Sequence, residues 1–531
     1  ITFNRSFNEH RISVLAGTTA EKYMKDGFQA SRPDVPADPN QWYLSAGGGN
    51  LDLQFNNSTG IPNEYTRNSY LGRVFYSFAD KYQFTGTFRA DASSVFSASN
   101  RWGYFPGASA GWVISRETFM QGQNVFQMLK LRGSWGQVGN SSVPSDASSS
   151  TFLTGVPYFF GSPSSPSTLT PASGGFVPQI KDQNLKWEIT TEKDLGLEYA
   201  AVKGRLTGEI DVYDKVVNNA LIYFLLPATF GSQENPNSSI PVGYVIGNAA
   251  SIENKGLEFS ARWSDHIGSK ISYFVGGNIS FNKNNVKSLN GGTPYYDENI
   301  NGYYVTETTV GHPIGSFLLP KVIGVFQSQN DVNNYVNKNG QLLQPDAEAG
   351  DLKYQYNSNG TLDTAYLGSY QPVAFYGISL GGTYAGIDFS VDIYSNFGNK
   401  VYNGKRQARV VASDNIEEAQ AVNFWTAKNG SQTEPAPNGG NLPASSYFVA
   451  SGDFIRINNV TLGYTLPGKI LHRQHVISSL RIFANAQNPL TIKKYSGFTA
   501  ELPGTTATNA GVELSTYPTT RTFAAGLNLG L

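Results

Sequence analysis

The chain has 531 residues, a formal net charge of -1 and no cysteine, and only 15% of its residues are charged. An ordinary soluble domain has about 25% charged residues. The balanced charge excludes the basic surface of a nucleic-acid-binding protein, and the lack of cysteine excludes disulfide scaffolds and thiolate metal sites. No apolar run reaches the ~18 residues that a membrane-spanning helix requires. The 13% aromatic content and the 56 glycines leave two classes, an extracellular β protein or a membrane β-barrel.

Alternation of apolar and polar residues with period two is the strongest pattern in the chain. In chain order, its clearest segments begin at Tyr82, Leu129, Leu206, Leu257, Ile387 and Phe523. Successive side chains of a strand point to opposite faces, so each segment predicts a strand with one apolar face. We count about 14–16 such segments of roughly 10 residues or more, the span of a tilted membrane strand.

A barrel explains the composition of these strands better than a soluble sandwich does. Their polar positions are rich in Asn, Gln, Ser, Thr and Tyr rather than Lys and Glu, as expected of a barrel interior. Aromatic pairs such as Trp102 with Tyr104 and Tyr303 with Tyr304 resemble the girdles of membrane barrels. The fold class predicted is therefore all-β, a transmembrane antiparallel β-barrel. A secreted β-sandwich, serving as an adhesin or a glycan-binding protein, is the alternative.

Several segments go beyond this pattern. The first reads RADASSVF, followed by NRWGYFP and GW, and the second reads LKLRGSWGQVGN. Together they resemble, in order, the SusC/RagA class of TonB-dependent outer-membrane transporters. The matching segments are 89–96 with 100–106 and 111–112, 129–140, 185–192, 252–258, 453–467, 486–490 and 517–523.

This resemblance implies a 22-stranded barrel plugged by an N-terminal domain, of which residues 1–531 are the C-terminal barrel portion without the plug. It implies a nutrient importer rather than an enzyme, in the outer membrane of a Gram-negative bacterium and in contact with its lipid. Glycan oligosaccharides or peptides would be captured with a SusD-like lipoprotein lid. TonB-ExbB-ExbD would drive uptake through the N-terminal region that this sequence lacks. A passive porin-like barrel is a second alternative.

In the family the last strand ends in the periplasm, and counting back from it places a periplasmic turn at 467–479. Long extracellular loops are then expected near 327–370, 398–451 and 489–518, where substrate would arrive. Four aromatic residues in the first two loops are candidate substrate ligands, stacking on sugar rings or gripping peptide side chains: Tyr354, Tyr356, Trp425 and Tyr447. They could equally contact the lid or pack within their loops.

Charged residues at polar strand positions are predicted to line the lumen. They would pair across neighbouring strands, contact a plug domain, or do both. These residues are Arg89, Lys130, Arg132, Glu209, Asp211, Arg262, Asp388, Asp392 and Arg481.

Candidate catalytic and metal-binding patterns are weak. Segment 350–363 resembles a calcium-type loop of the family, with Asn357, Asn359 and Asp363 as ligands, but a glycine-turned loop without a cofactor is the main interpretation. The G-x-S-x-G pattern around Ser109 lies in a predicted strand, not in the strand–turn–helix context of a hydrolase. His472 and His475 are expected in the 467–479 turn rather than at a metal.

Overall fold

The computed structural model describes most of the chain. The described residues are 1–24, 28–55, 64–144, 147–148, 153–160, 170–176, 181–225, 244–409, 417–437, 442–471, 477–504 and 506–530. His472 and His475 lie outside them. Within these ranges no helix is both long and apolar enough to cross a membrane.

Strands dominate the described residues. They are β1 Thr2–Phe7, β2 His10–Met24, β3 Phe28–Ser31, β4 Asp52–Phe55, β5 Glu64–Phe78, β6 Tyr82–Ser93, β7 Trp102–Val113, β8 Phe126–Asn140, β9 Leu153–Phe160, β10 Thr170–Phe176, β11 Glu188–Ala201, β12 Leu206–Leu225, β13 Tyr244–Ile267, β14 Ile271–Leu289, β15 Tyr295–Ile300, β16 Tyr303–Thr308, β17 Ser316–Pro320, β18 Val322–Val325, β19 Leu352–Tyr354, β20 Thr364–Ser369, β21 Ala374–Tyr384, β22 Ile387–Phe397, β23 Lys400–Tyr402, β24 Val449–Ser451, β25 Phe454–Thr465, β26 Ser479–Lys493 and β27 Thr522–Gly530. The α-helices are short: α1 Gln329–Asn333, α2 Gly404–Ala408, α3 Glu418–Ala421 and α4 Gly468–Leu471.

One antiparallel sheet of fifteen strands forms the body of the molecule. Its order is β1-β2-β5-β6-β7-β8-β11-β12-β13-β14-β21-β22-β25-β26-β27, so each strand pairs with the next large-sheet strand in the sequence. Within the described residues, β1 and β27 are its two edges. The predicted number of strands and their antiparallel pairing are confirmed. Tyr303 and Tyr304, expected in a girdle of this sheet, belong instead to β16 in a separate four-stranded sheet.

The strand register gives the sheet two chemically different faces. Residues directly opposite each other on paired strands project to the same face. Leu131 lies opposite Leu197, and Leu197 opposite Ile210. The same row continues through Phe259 and Ile279. We call this side the apolar face and the opposite side, which carries the intervening residues, the polar face.

Successive connections of the large antiparallel sheet lie at alternate ends of its strands. We call the end at which most connections are short the short-turn end, and the opposite end the long-loop end. The connections at the short-turn end are 8–9, 79–81, 114–125, 202–205, 268–270, 385–386 and 466–478. The connections at the long-loop end are 25–63, 94–101, 141–187, 226–243, 290–373, 398–453 and 494–521, and the last three are long. The loops expected near 327–370, 398–451 and 489–518 fall within the last three long connections, except that 489–493 belong to β26.

These last three long connections pack together into a folded unit, which we call the loop cluster. Its hydrophobic core draws on all three connections. The buried members are Ile300, Val305, Phe317, Leu319, Val325, Leu352, Tyr402, Leu442, Ala444, Phe448 and Val512. Backbone bonds join the segments as well: the Tyr402 N–H donates to the Gly511 carbonyl at 2.8 Å, and the Glu513 N–H donates to the Tyr402 carbonyl at 2.9 Å. The region predicted as loop is therefore ordered structure with its own core.

Candidate functional site

Arg132 on β8 is the centre of a charged cluster on the polar face. Its guanidinium lies 2.6 Å from a carboxylate oxygen of Asp194 on β11 and 2.6 Å from one of Asp211 on β12. Glu198 is 3.0 Å away and Glu209 is 3.7 Å away. One arginine thus faces four carboxylates, and the cluster can repel anionic groups and attract cationic ones at this position.

A glycine makes the central pair of this cluster possible. Gly196 on β11 lies directly between Arg132 and Asp211 in the register. A Cβ atom built at Gly196 would lie 2.2 Å from the Asp211 Oδ1 and 2.7 Å from the Arg132 Cζ. Real Cβ atoms do not approach that closely, so the ion pair crosses the middle strand only because that strand has no side chain there.

A second ion pair on the polar face also crosses a glycine, at strands β22, β25 and β26. Arg481 on β26 pairs with Asp388 on β22 at 2.6 Å, across the intervening strand β25. A Cβ atom at Gly463 of β25 would lie 2.5 Å from both the Arg481 Nη2 and the Asp388 Oδ1. The ion pairs Arg132–Asp211 and Arg481–Asp388 each link two strands that are not hydrogen-bonded neighbours, and so stiffen the sheet on its polar face.

The other predicted lumen residues also have partners. Lys130 lies 3.1 Å from Glu198. Arg89 is paired with Asp91 at 2.7 Å, and Asp392 accepts a hydrogen bond from the Ser379 hydroxyl at 2.6 Å. Arg262 stacks its guanidinium over the Phe274 ring at 3.8 Å. All the positions singled out on the strands therefore point to the polar face, where most of them pair across strands.

The four candidate aromatic ligands all lie in the loop cluster. Tyr354 is part of β19, and Tyr356 makes an edge contact with Tyr335 at a ring-centroid distance of 6.2 Å. The Trp425 Nε1 donates to the Gln327 side-chain oxygen at 3.2 Å. Each of the four residues is partly exposed, although the Tyr354 hydroxyl is buried.

Tyr447 is the most constrained of the four aromatic residues. Its hydroxyl donates to Glu434 at 2.5 Å, and the Arg406 guanidinium lies 4.7 Å from the ring centroid. Arg406 also pairs with Glu434 at 2.5 Å. Burial raises the pKa of Tyr447 and that of Tyr402 above their ordinary values. Both hydroxyls therefore lose their protons at a more alkaline pH than an exposed tyrosine does.

The segment that resembles a calcium-type loop forms a tight asparagine turn. The Asn357 side-chain oxygen accepts the backbone N–H groups of Asn359 at 3.0 Å and Thr361 at 3.1 Å. Asp363 accepts from the Gln355 amide at 2.9 Å. Across the described part of the chain, no group of three or more His, Cys, Asp or Glu residues is placed to hold a metal ion. The turn satisfies its own backbone donors with a side-chain oxygen.

Sequence reasoning missed several participants at these sites. Asp194 and Glu198 share the polar face of β11 with Glu192, and the alternation of residues 188–201 could have revealed them. Gly196 and Gly463 carry no side-chain signal, because their role depends on what lies on either side of them. Glu434 lies in the predicted loop 398–451, and its contacts with Arg406 and Tyr447 come from tertiary packing.

Residues 6–529 match the family model described as "TonB dependent receptor-like, beta-barrel". The chain belongs to this family. The resemblance seen in the sequence is thereby confirmed, and so is the all-β transmembrane barrel fold. The family consists of transport receptors and not of enzymes, which agrees with the expectation from the sequence.

Two relatives match over the whole chain. TonB-dependent receptor P3 of Formosa agariphila is 28% identical over 543 residues, which cover 100% of this chain and 51% of the relative. TonB-dependent receptor SusC of Bacteroides thetaiotaomicron is 27% identical over 548 residues, covering 100% of this chain and 49% of the relative. The chain thus spans about half the length of the curated relatives it matches.

A solved structure, titled "Structure of the RagAB peptide transporter", has the same fold. The TM-score is 0.75 at 21% sequence identity, and the match covers 99% of this chain and 54% of the other. At this identity the likeness shows the fold alone.

Proposed function

We propose that this chain forms wall and loops of a SusC-like importer in the outer membrane of a Gram-negative bacterium. Membership of the family over residues 6–529 is the observation that carries the proposal. In this arrangement the apolar face contacts lipid, the polar face lines the lumen, and the long-loop end is extracellular. The transport step is TonB-dependent uptake, with no covalent chemistry performed by this chain.

The loop cluster supports a role in receiving substrate. A barrel mouth made of unstructured loops would give a ligand no fixed surface, whereas this cluster has a buried core shared by three connections. Binding sites need side chains held in place by the packing beneath them. The partly exposed rings of Tyr356 and Trp425, supported by Tyr335 and Gln327, meet that requirement.

The substrates we propose are glycan oligosaccharides or peptides, captured together with a SusD-like lipoprotein lid. Two relatives support this choice: one carries the name SusC, and the other is titled a peptide transporter. Aromatic rings suit both substrates, since they stack on sugar rings and pack against peptide side chains. Charged partners such as Arg406 and Glu434 lie beside Tyr447 and add polar specificity.

The charged residues of the polar face support the proposal that a plug domain fills the lumen. Arg132, with its four carboxylates, and the pair Arg481–Asp388 offer fixed charges to a domain placed inside the barrel. We infer that a plug contacts these residues and that TonB, acting with ExbB and ExbD, moves it to open a path.

The first experiment is to purify the native protein from outer membranes, measure its intact mass and identify what co-purifies. A mass well above 57.7 kDa together with a lipoprotein partner is expected. A polypeptide of this mass, with no plug-bearing or lipoprotein companion, would replace the proposal with a passive barrel. Uptake of labelled oligosaccharide and of labelled peptide, with and without TonB, then assigns the substrate class.

A further inference from the structure

The apolar face ends in a sharp boundary across four neighbouring strands. One row of the sheet consists of Leu195, Val212, Leu257 and Phe281, each opposite the next in the register. These side chains are between 41% and 57% exposed. They form the last apolar row on the way towards the long-loop end, so the edge of the lipid-facing band lies immediately beyond them.

The next row on the same face is charged. It consists of Lys193, Asp214, Lys255 and Lys283, again each opposite the next. Trp135 of β8 lies opposite Lys193 and continues the row. Tryptophan is enriched where the hydrocarbon of a membrane meets its headgroups. The lysines therefore lie at headgroup level on the side that faces lipid.

The charges of this row and its neighbours do not cancel. Lys255 lies 3.1 Å from Glu253 and 3.6 Å from Asp214, and Glu253 also pairs with Lys287 at 3.3 Å. The patch thus contains four lysines (Lys193, Lys255, Lys283 and Lys287) and two carboxylates (Asp214 and Glu253), which gives these six residues a net charge of +2.

Two of the four lysines form no ion pair. Among the residues that the structure describes, Lys193 and Lys283 form no ion pair within 4.0 Å, and both are exposed. Lys283 also lies directly opposite Lys255. Like charges placed opposite each other across strands are destabilising, so this arrangement calls for an anion from outside the chain.

The geometry points to a binding site for the phosphate group of an outer-leaflet lipid, held by Lys193, Lys255, Lys283 and Lys287. This assignment rests on the proposed function, which places the apolar face against lipid. A lipid suits the site because its acyl chains would cover the row of Leu195, Val212, Leu257 and Phe281 while its phosphate meets the ammonium groups directly above. Lysines near a membrane surface attract anionic headgroups.

The test is native mass spectrometry of the full-length protein, titrated with lipid A or with the same lipid after phosphatase treatment. The variant carries Lys193→Gln and Lys283→Gln. Its matched control carries Lys203→Gln and Lys270→Gln, which remove the same charge from exposed positions at the short-turn end. A third variant, with Lys193→Arg and Lys283→Arg, keeps the charge. Heat-dependent migration on gels verifies that every variant is folded.

We expect the glutamine variant to bind phosphorylated lipid A about 30-fold more weakly, a change of about 2 kcal/mol for two lysines at a membrane surface. The arginine variant and the short-turn control should bind as the unmodified protein does. Equal binding of the two lipid forms would overturn the inference, and so would an equal loss in the short-turn control. Displacement of the lipid by equimolar inorganic phosphate would show a general anion site instead. A protein that fails to enter lipid nanodiscs would refute the proposed function, whereas insertion without phosphate preference would refute only this inference.

Discussion

Replacing Gly196 by alanine tests the glycine gap beneath the Arg132–Asp211 pair. The new methyl group would lie 2.2 Å from the Asp211 Oδ1, so the carboxylate and the guanidinium have to move apart. The nearest atoms are the ends of flexible side chains, and the backbone is not obstructed. The main cost is therefore the lost ion pair rather than a distorted strand.

The magnitude follows from how buried the pair is. The Asp211 side chain is 12% exposed and that of Arg132 is 30% exposed. Exposed pairs contribute up to about 1 kcal/mol, and breaking a fully buried pair costs about 3–5 kcal/mol. This pair lies between those limits, and Arg132 keeps its contacts with Asp194 and Glu198. We expect Gly196→Ala to lower the free energy of unfolding by about 2 kcal/mol.

The assay is guanidinium-induced unfolding of the full-length protein in lipid vesicles, followed by tryptophan fluorescence. Gly136→Ala is the matched control, because a Cβ atom at that polar-face glycine would come no closer than 3.7 Å to its neighbours. In an Asp211→Ala background, Gly196→Ala should cost much less, since the atom that it displaces is absent. A Gly196→Ala cost equal to that of Gly136→Ala, or unchanged by Asp211→Ala, would refute the reasoning.

Three further outcomes are expected. Gly463→Ala should destabilise the protein by a similar amount of about 2 kcal/mol through the Arg481–Asp388 pair, and a silent substitution would show that this pair contributes little. Burial raises the pKa of Tyr447. The neutral side chain of Tyr447 therefore stabilises the folded loop cluster below the pKa of unfolded tyrosine, about 10, and this stabilisation is lost as pH rises above that value. Limited proteolysis of the loop cluster should therefore accelerate above that pH, and Tyr447→Phe should weaken the dependence; an identical pH profile would contradict the assignment. Asn357→Ala should remove two side-chain-to-backbone hydrogen bonds, lower the local stability of the turn by about 1–2 kcal/mol and make the turn more sensitive to protease. Added calcium should not change the protease sensitivity of the unmodified protein. Protection by calcium would instead support a cation site.

The sequence predicted the large sheet well because strand faces follow a strictly local rule. Successive side chains of a strand point to opposite faces, so the positions of Leu131 and Arg132 on opposite faces are predicted without reference to any other strand. The alternation also predicted the position of Ser109 inside a strand, which the structure places in β7. The colinear motifs added the family, because they preserve residue identity as well as period.

The fold of the loop cluster could not be predicted from local alternation. Segment 290–373 has no long periodic run, yet it contains six short strands, and its core includes residues from two other connections. Short strands of three to six residues are stable here because neighbouring segments cover them. Nothing local to Val512 shows that it packs with Tyr402, more than a hundred positions earlier in the chain.

By itself the sequence determined the strands, their two faces and the family, since these depend on residue type and spacing along the chain. Only the tertiary structure decided which charges meet. Arg132 reaches Asp211 across a strand that contributes Gly196, and Lys283 stands opposite Lys255 rather than opposite a carboxylate. The register between strands sets these contacts, and a shift of one residue would send the side chains to the other face.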